Sequence, residues 1–455
     1  MKIPSCPPDY LKVIQDWGRL DPGGFQKSIA LGIGTLPGGK YRHWDNLVHL
    51  QPPEDLTHER WWALTKVARS AGMRRIPLLD KKARPFQFAI PDPVLEMTHA
   101  IDSNASGRIE ISEEVTTPGT RDRYLVSSLI EEAITSSQLE GAATTTQVAK
   151  DMLRSGRRPK DKGERMILNN YRGMKLICEL KEKPFTPQRI IQLQKQLTAG
   201  TLSDESAAGR LRRDDEKIVV WDQRDQTLIH EPPGARQLPK RLEALCAFAN
   251  QNTPDFFIHP VMRAIILHFW LAYDHPFVDG NGRTARAVFY WSMLSQGYWL
   301  SEFFSISSIL KRAPAKYMRS FLYTETDDND VTYFILYNLK VIARAIDALH
   351  LYLEAKTEEA RRTMALIRKS SDFNHRQIAL LSHALRHPGA EYTIQSHRNS
   401  HNVVYETARS DLFDLAGRRF LEKRKLKNAY YFAAPDDLAG RLTGKSPRRF
   451  GKSRR

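Results

Sequence analysis

The chain has 455 residues, 41% of them hydrophobic, and a formal net charge of +17. That length supports two or three ordinary domains, and no stretch approaches the roughly 20 apolar residues needed to span a bilayer. Cys6, Cys178 and Cys246 are widely spaced with no CxxC pair, which argues against a disulfide framework or a zinc site and for a reducing compartment. The start, MKIPSCPPDY, lacks the apolar core of a secretory signal, so a cytoplasmic protein with no membrane association is expected. The positive excess suits polyanionic partners such as nucleotides or nucleic acid, and equally a surface that is merely solubilising.

Residues 1–90 are rich in Pro, Gly and Trp, with weak periodicity, and point to no particular fold. Within them GTLPGGK (34–40) opens like a phosphate-binding loop. Tyr41, however, stands where Ser or Thr would hold Mg²⁺, and RHWDN does not begin a helix, so a flexible turn is expected. From Asp92 to about Lys369, apolar residues recur at three and four. This predicts helices over 121–139, 164–181, 187–198, 236–250, 258–273, 283–296, 307–325 and 331–368. The stretch 209–230 interrupts them with a β-branched run, Ile218, Val219, Val220 and Trp221, a polar turn and a second apolar run. It reads as an inserted β-hairpin. The DDND run at 327–330 reads as a helix-capping loop.

Past residue 370, short helical patterns lead to TARSDLFDL (407–415) and then to RRFLEKRKLKNAYYF (418–432), which alternates enough for a small hairpin. Helices followed by such a wing make a winged helix-turn-helix over 372–440. Between 372 and 455 there are 17 Lys and Arg against 8 Asp and Glu, and the tail 441–455 has seven basic and no acidic residues, so it is expected to be disordered. The fold class is therefore mainly α.

The segment HPFVDGNGRTAR (275–286) carries the chemistry. It follows an apolar helix that must end near Asp274, because Pro276 pushes the preceding residue out of helical geometry. His275 then sits at the exit of a rigid element, with an ordinary pKa of about 6.5 that suits a general base. Gly280 and Gly282 allow the backbone amides to turn inward as an anion nest, and a helix starting about Asn281 adds its N-terminal dipole. Arg283 and Arg286 share one face of its first turn. Two fixed cations there call for an anion such as a triphosphate, and Asp279 fits only if Mg²⁺ bridges it to phosphate oxygens.

The segment resembles the Fic (Fido) family motif, HxFx(D/E)GNGRxxR, at every specified position. Ile258-His259-Pro260, the inserted hairpin and SILKRAPAKYMRSFLY (308–323) are similar in order and spacing. The resemblance covers roughly 115–340. It implies a Fic-type helical core at 186–370 with a β-hairpin flap at 209–230, preceded by a helical region at 91–185. It also implies transfer of AMP from ATP to a Ser, Thr or Tyr hydroxyl of a target protein. On that resemblance His275 would deprotonate the hydroxyl and Asp279 would hold Mg²⁺. Phe277, Gly280, Asn281, Gly282, Arg283 and Arg286 would hold the nucleotide, with Tyr317 lining the base pocket. Ile218 to Trp221 would pair with the target peptide by strand addition. The charged insert RRDDEK (212–217) departs from common family flaps.

Ile134 to Gly141 on its own is an amphipathic helix end with a Gly cap. It also resembles the family's inhibitory motif, (S/T)xxxE(G/N), as Ser136, Glu140 and Gly141 on a helix of about 121–141. Glu140 paired with Arg286 would take the γ-phosphate's partner. The same glutamate suits removal of AMP from a modified target, so hydrolysis is an alternative. A further alternative is a DNA-binding regulator with a nucleotide-sensing core, although protein docking by the winged helix is favoured over DNA. Self-modification, a homodimer and transfer of a group other than AMP stay open.

Overall fold

The Pro- and Trp-rich N-terminal region is folded. The computed structural model describes residues 3–53, 55–105, 118–222, 227–369, 373–386, 390–426, 429–435 and 437–442. Helices α1 (Tyr10–Leu20), α2 (Pro22–Ala30), α3 (Trp44–Leu47) and α4 (His58–Ser70) enclose a small core of Trp17, Leu47, Leu56, Trp61, Trp62 and Leu64. Asp9 and Thr57 cap α1 and α4 with their side chains. An antiparallel pair, β1 (Arg74–Leu79) and β2 (Pro85–Phe88), follows.

This region is part of the unit that spans Met1–His350. Lys66 reaches Asp327 at 2.6 Å, and both side chains are almost fully buried. Arg69 donates to the Tyr333 hydroxyl at 2.9 Å. Tyr41, the residue that broke the phosphate-loop pattern, donates to Asp330, and Gln87 pairs with Asp330 through a single parallel β-bridge. The DDND run therefore does more than cap a helix. Asp330 accepts the Thr332 amide at 2.9 Å, and with Asp327 it also anchors the first ninety residues.

The helical layer follows in chain order: α5 (Asp92–Ala105), α6 (Pro118–Leu139), α7 (Thr146–Ser155), α8 (Lys162–Leu180) and α9 (Pro187–Thr198). The hairpin strands β3 (Val220–Asp222) and β4 (Thr227–His230) come next, then α10 (Leu238–Ala249), α11 (Pro260–Asp274) and α12 (Asn281–Ser295). Helix α11 buries every residue from Val261 to Leu271, and α12 buries Arg283 through Leu294. Helices apolar on nearly all faces belong at the centre of a layer; a six-residue loop joins these two, and they pack along each other with α8, α9 and α10 around them. The pattern at 307–325 predicted one helix. Pro314 divides it into α13 (Ile306–Leu310) and α14 (Pro314–Thr326). Helix α15 (Thr332–Lys369) runs past the unit boundary at 350.

The hairpin is shorter than expected. Among the described residues the pairs are Val220↔His230, Trp221↔Leu228 and Asp222↔Thr227, so Ile218 and Val219 precede the strand. The charged insert is tied down by Arg210, which holds Glu216 with two hydrogen bonds of 2.9 and 2.6 Å.

The second unit, Leu351–Arg455, adds α16 (His375–Arg386), β5 (Glu391–Thr393), α17 (Ile394–His401), α18 (Tyr405–Gly417), β6 (Glu422–Leu426), β7 (Ala429–Ala433) and α19 (Leu438–Leu442). Its sheet is antiparallel in the order β5-β7-β6. Buried Asp411 gathers Arg376, Asn374 and His397 within this unit. Most of the basic tail, 443–455, lies outside the described residues.

Removing one partner of a buried ion pair leaves the other charge stranded at a cost of about 3–5 kcal/mol. Lys66→Met should therefore lower the unfolding free energy of the first unit by about 3 kcal/mol, read as a fall in its urea midpoint. An unchanged midpoint in urea unfolding would show that the N-terminal region is not held this way.

Candidate active site

The segment 275–286 is the loop between α11 and α12. His275 takes the left-handed conformation (φ 45°) that ends α11, and its amide donates to the Leu271 carbonyl. The ring Nδ1 lies 3.1 Å from the Ala272 carbonyl. Donation there leaves Nε2 as the bare acceptor edge. Burial pushes the imidazole down to about 4, so it is neutral at physiological pH and able to accept a proton. Gly280, at φ 85°, is the N-cap of α12, and a Cβ on it would strike Thr198 Cγ2.

Asn281 clasps the loop. Its Oδ1 accepts the Phe277 amide at 2.9 Å and its Nδ2 donates to the Phe277 carbonyl at 2.8 Å. Both ends of the side chain are thus committed to backbone, and the Phe277 ring is fully buried in the core. Arg283 is fully buried. Its Nη1 donates to the Leu197 carbonyl at 2.8 Å, while its Nε has no hydrogen-bond partner among the described residues. An unmatched buried donor beside the free amides of a helix N-terminus suits an anion.

Asp279 is 45% exposed, and its Oδ1 faces the Gly280 amide and, at 3.4 Å, Arg283. No group of three His, Cys, Asp or Glu side chains is assembled for a metal among the described residues. A single open carboxylate fits Mg²⁺, which is commonly held by one or two carboxylates and completed by substrate phosphates and water.

Arg286, 2% exposed, is engaged from the other side. Its Nε donates to Ser136 Oγ at 2.8 Å, and its Nη2 donates to the Ser136 carbonyl at 3.0 Å and to Glu140 Oε1 at 2.9 Å. Glu140 lies just past the end of α6, in the turn closed by Gly141 at φ 91°. Burial disfavours its charge, but Arg286 and Arg283 outweigh that and hold the carboxyl below its ordinary value. The carboxylate rests directly over Gly282, where any Cβ would overlap its Oε1. Tyr317, also buried, meets His268 Nε2 through its hydroxyl at 2.8 Å. Burial pushes His268 down to about 3, so that ring is neutral.

Two residues of the site were not anticipated. Arg212, inside the charged insert, donates from Nε to the His275 carbonyl and from its amide to the Pro276 carbonyl, both at 2.9 Å. Gln194 of α9 donates to the Asp279 carbonyl at 3.0 Å and accepts the Gly209 amide at 2.7 Å. Together they fasten the arm of the hairpin to the loop. A signal for Gln194 was present: it is a polar residue in phase with Ile190, Leu193 and Leu197 on the buried face of α9. By contrast, Val220 is half-buried and Trp221 lies 48% exposed opposite Leu228, on the hairpin away from the loop contacts.

Residues 184–293 match the Fic/DOC family. A protein adenylyltransferase Fic of Nematostella vectensis is 28% identical over 128 residues, which are 28% of this chain and 27% of that protein. The protein of the same name in Drosophila melanogaster is 36% identical over 69 residues, 15% of this chain and 14% of that one. The aligned segments thus span about a quarter or less of these relatives' lengths. A solved Fic family protein from Desulfovibrio desulfuricans superposes with a TM-score of 0.51 at 18% identity, covering 77% of this chain and 98% of that one, a likeness of fold. Residues 184–293 thus carry a Fic/DOC family domain match, and the likeness to the solved protein concerns the fold.

Lowering of the His275 pKa has a definite sign. The unfolded chain takes up this proton near 6.5 and the folded chain only near 4, so the linked stability is present above 6.5 and lost as pH falls between these values. In labelled protein, the His275 ring resonances should hold their neutral-form positions through 6.5 and move only near 4; titration at 6.5 would show a solvated ring.

Proposed function

We propose that this protein transfers AMP from ATP to a Ser, Thr or Tyr hydroxyl of a target protein, itself included, and that Glu140 restrains the transfer. The relatives bearing the name protein adenylyltransferase support the reaction class. The observation that carries the reading is the contact of Glu140 with Arg286 at 2.9 Å, directly over Gly282 of the 275–286 segment that also carries His275 and Arg283.

On this reading the His275 Nε2 takes the proton of the target hydroxyl. Its oxygen forms a bond to the α-phosphorus as the bond to the bridging oxygen breaks, and pyrophosphate leaves. The amides of Gly280 and Gly282, the start of α12 and the unmatched Nε of Arg283 bind phosphate oxygens. Asp279 would hold Mg²⁺, which would supply charge neutralisation there. Asn281 acts through the loop rather than on phosphate, because its side chain is spent on Phe277. Tyr317 lies beside the bound nucleotide.

The hairpin is a two-stranded sheet with an open edge, and it offers Val220 and Trp221, with Ile218 and Val219 leading in, to an extended target segment. In the second unit, α18 exposes Tyr405, Glu406, Arg409 and Asp414. This mixed surface favours docking to protein over phosphate backbones, despite Lys423, Arg424 and Lys425 on the wing.

A charge-assisted hydrogen bond of roughly 1.5–3 kcal/mol corresponds to about a 10- to 100-fold change in how often Arg286 is released. Glu140→Gly should therefore raise self-labelling from α-labelled ATP by at least about tenfold, and His275→Ala in that background should remove it by about 10²-fold or more. Unchanged labelling in Glu140→Gly would refute the restraint, and survival of transfer in His275→Ala would refute the base.

A further inference from the structure

The contact between α6 and α12 extends two turns beyond the Glu140 pair. Glu132, Ser136 and Glu140 are spaced by four and form one stripe, and they meet Arg286 and Tyr290, also four apart on α12. Ser136 and Glu140 hold Arg286. Glu132, 2% exposed, takes the other end of the seam: its Oε2 accepts the Tyr290 hydroxyl at 2.9 Å.

The same carboxylate gathers a third element. It accepts Ser305 Oγ at 2.7 Å, the Ser307 amide at 3.1 Å and Ser307 Oγ at 2.5 Å, at the start of α13. The Tyr290 hydroxyl in turn accepts the Ile306 amide at 2.9 Å. Burial pushes the Glu132 carboxyl up, against the pull of Ser307, Ser305 and Arg286.

A carboxylate in a helix interface is a poor way to gain packing energy, since apolar groups of similar volume do as well or better. What four directed hydrogen bonds supply is register. Each residue along a helix advances about 100° around its axis, so a rotation or slip of α6 by one position would swing Ser136 and Glu140 away from Arg286. Ser136 and Glu140 alone fix only the last turn of α6.

We propose that Glu132 is the register lock of the brake: a positioning residue, outside the 275–286 loop, that holds α6 at the rotation and height where Glu140 meets Arg286. This rests on the reading of Glu140 as a restraint. Loss of Glu132 leaves the hydroxyls of Tyr290, Ser305 and Ser307 without their shared acceptor, and α6 lifts from α12.

The test is a double-mutant cycle in the full chain, read by self-labelling from α-labelled ATP. Glu132→Ala should raise labelling several-fold toward that of Glu140→Gly, and the double variant should match Glu140→Gly within about twofold, because a released brake cannot be released again. Amides of 129–139 should also exchange faster with solvent in Glu132→Ala than in the wild type. Wild-type labelling in Glu132→Ala, with Glu140→Gly activated, would overturn the lock while leaving the brake intact. A double variant far below Glu140→Gly would also overturn it, by showing that Glu132 only supports the fold. If Glu132→Ala yields no folded protein, the near-isosteric Glu132→Gln takes its place, since its amide opposes at least one donor, and the same outcomes apply. No activation by Glu140→Gly would remove the brake itself, and this inference with it.

Discussion

Arg286 is a cation that the fold cannot leave alone. It is 2% exposed, on a helix whose remaining faces are packed with apolar side chains. A charge so placed needs an anion, because the interior offers no water to replace one. Glu140 fills that need from the neighbouring helix, with Ser136 completing the guanidinium's hydrogen bonds. Much of the surrounding architecture follows from this demand: a glycine at 282 with room for a carboxylate above it, an arm of α6 long enough to deliver it, and a second cation, Arg283, close enough to keep it ionised.

Around that pair the loop is held rigid by bonds to backbone. Asn281 closes it on Phe277, Gln194 fixes the Asp279 carbonyl, and the His275 ring is oriented by Ala272. These side chains hold the loop in shape through its backbone, while the Gly280 amide meets the Asp279 carboxylate.

How much of this was legible in the chain depended on locality. The loop was readable because its parts are contiguous: Pro276 ends α11, the glycines turn the backbone, and the arginines fall on one helical face. Helices α8 to α12 were readable from periodicity, whereas Pro314 cut a predicted helix in two. The N-terminal region was opaque because its stability is non-local. Lys66, Arg69, Tyr41 and Gln87 gain their partners from residues more than 240 positions away, and no window of sequence contains such pairs. The hairpin was found, yet its pairing was overextended, since Ile218 and Val219 have strand propensity but no partner strand. Arg212 gave no signal of its own because its acceptors are carbonyls, which carry no residue signature.

Those carbonyl contacts join the hairpin arm to the exit of α11, beside the bond between His230 and the Tyr273 carbonyl. The arm carrying the hairpin is bonded to His275, to Pro276 and, through one glutamine, to Asp279. A displacement of the arm is therefore passed directly to the His275 backbone. The hairpin arm and the turn that ends α11 thus move as one piece of backbone.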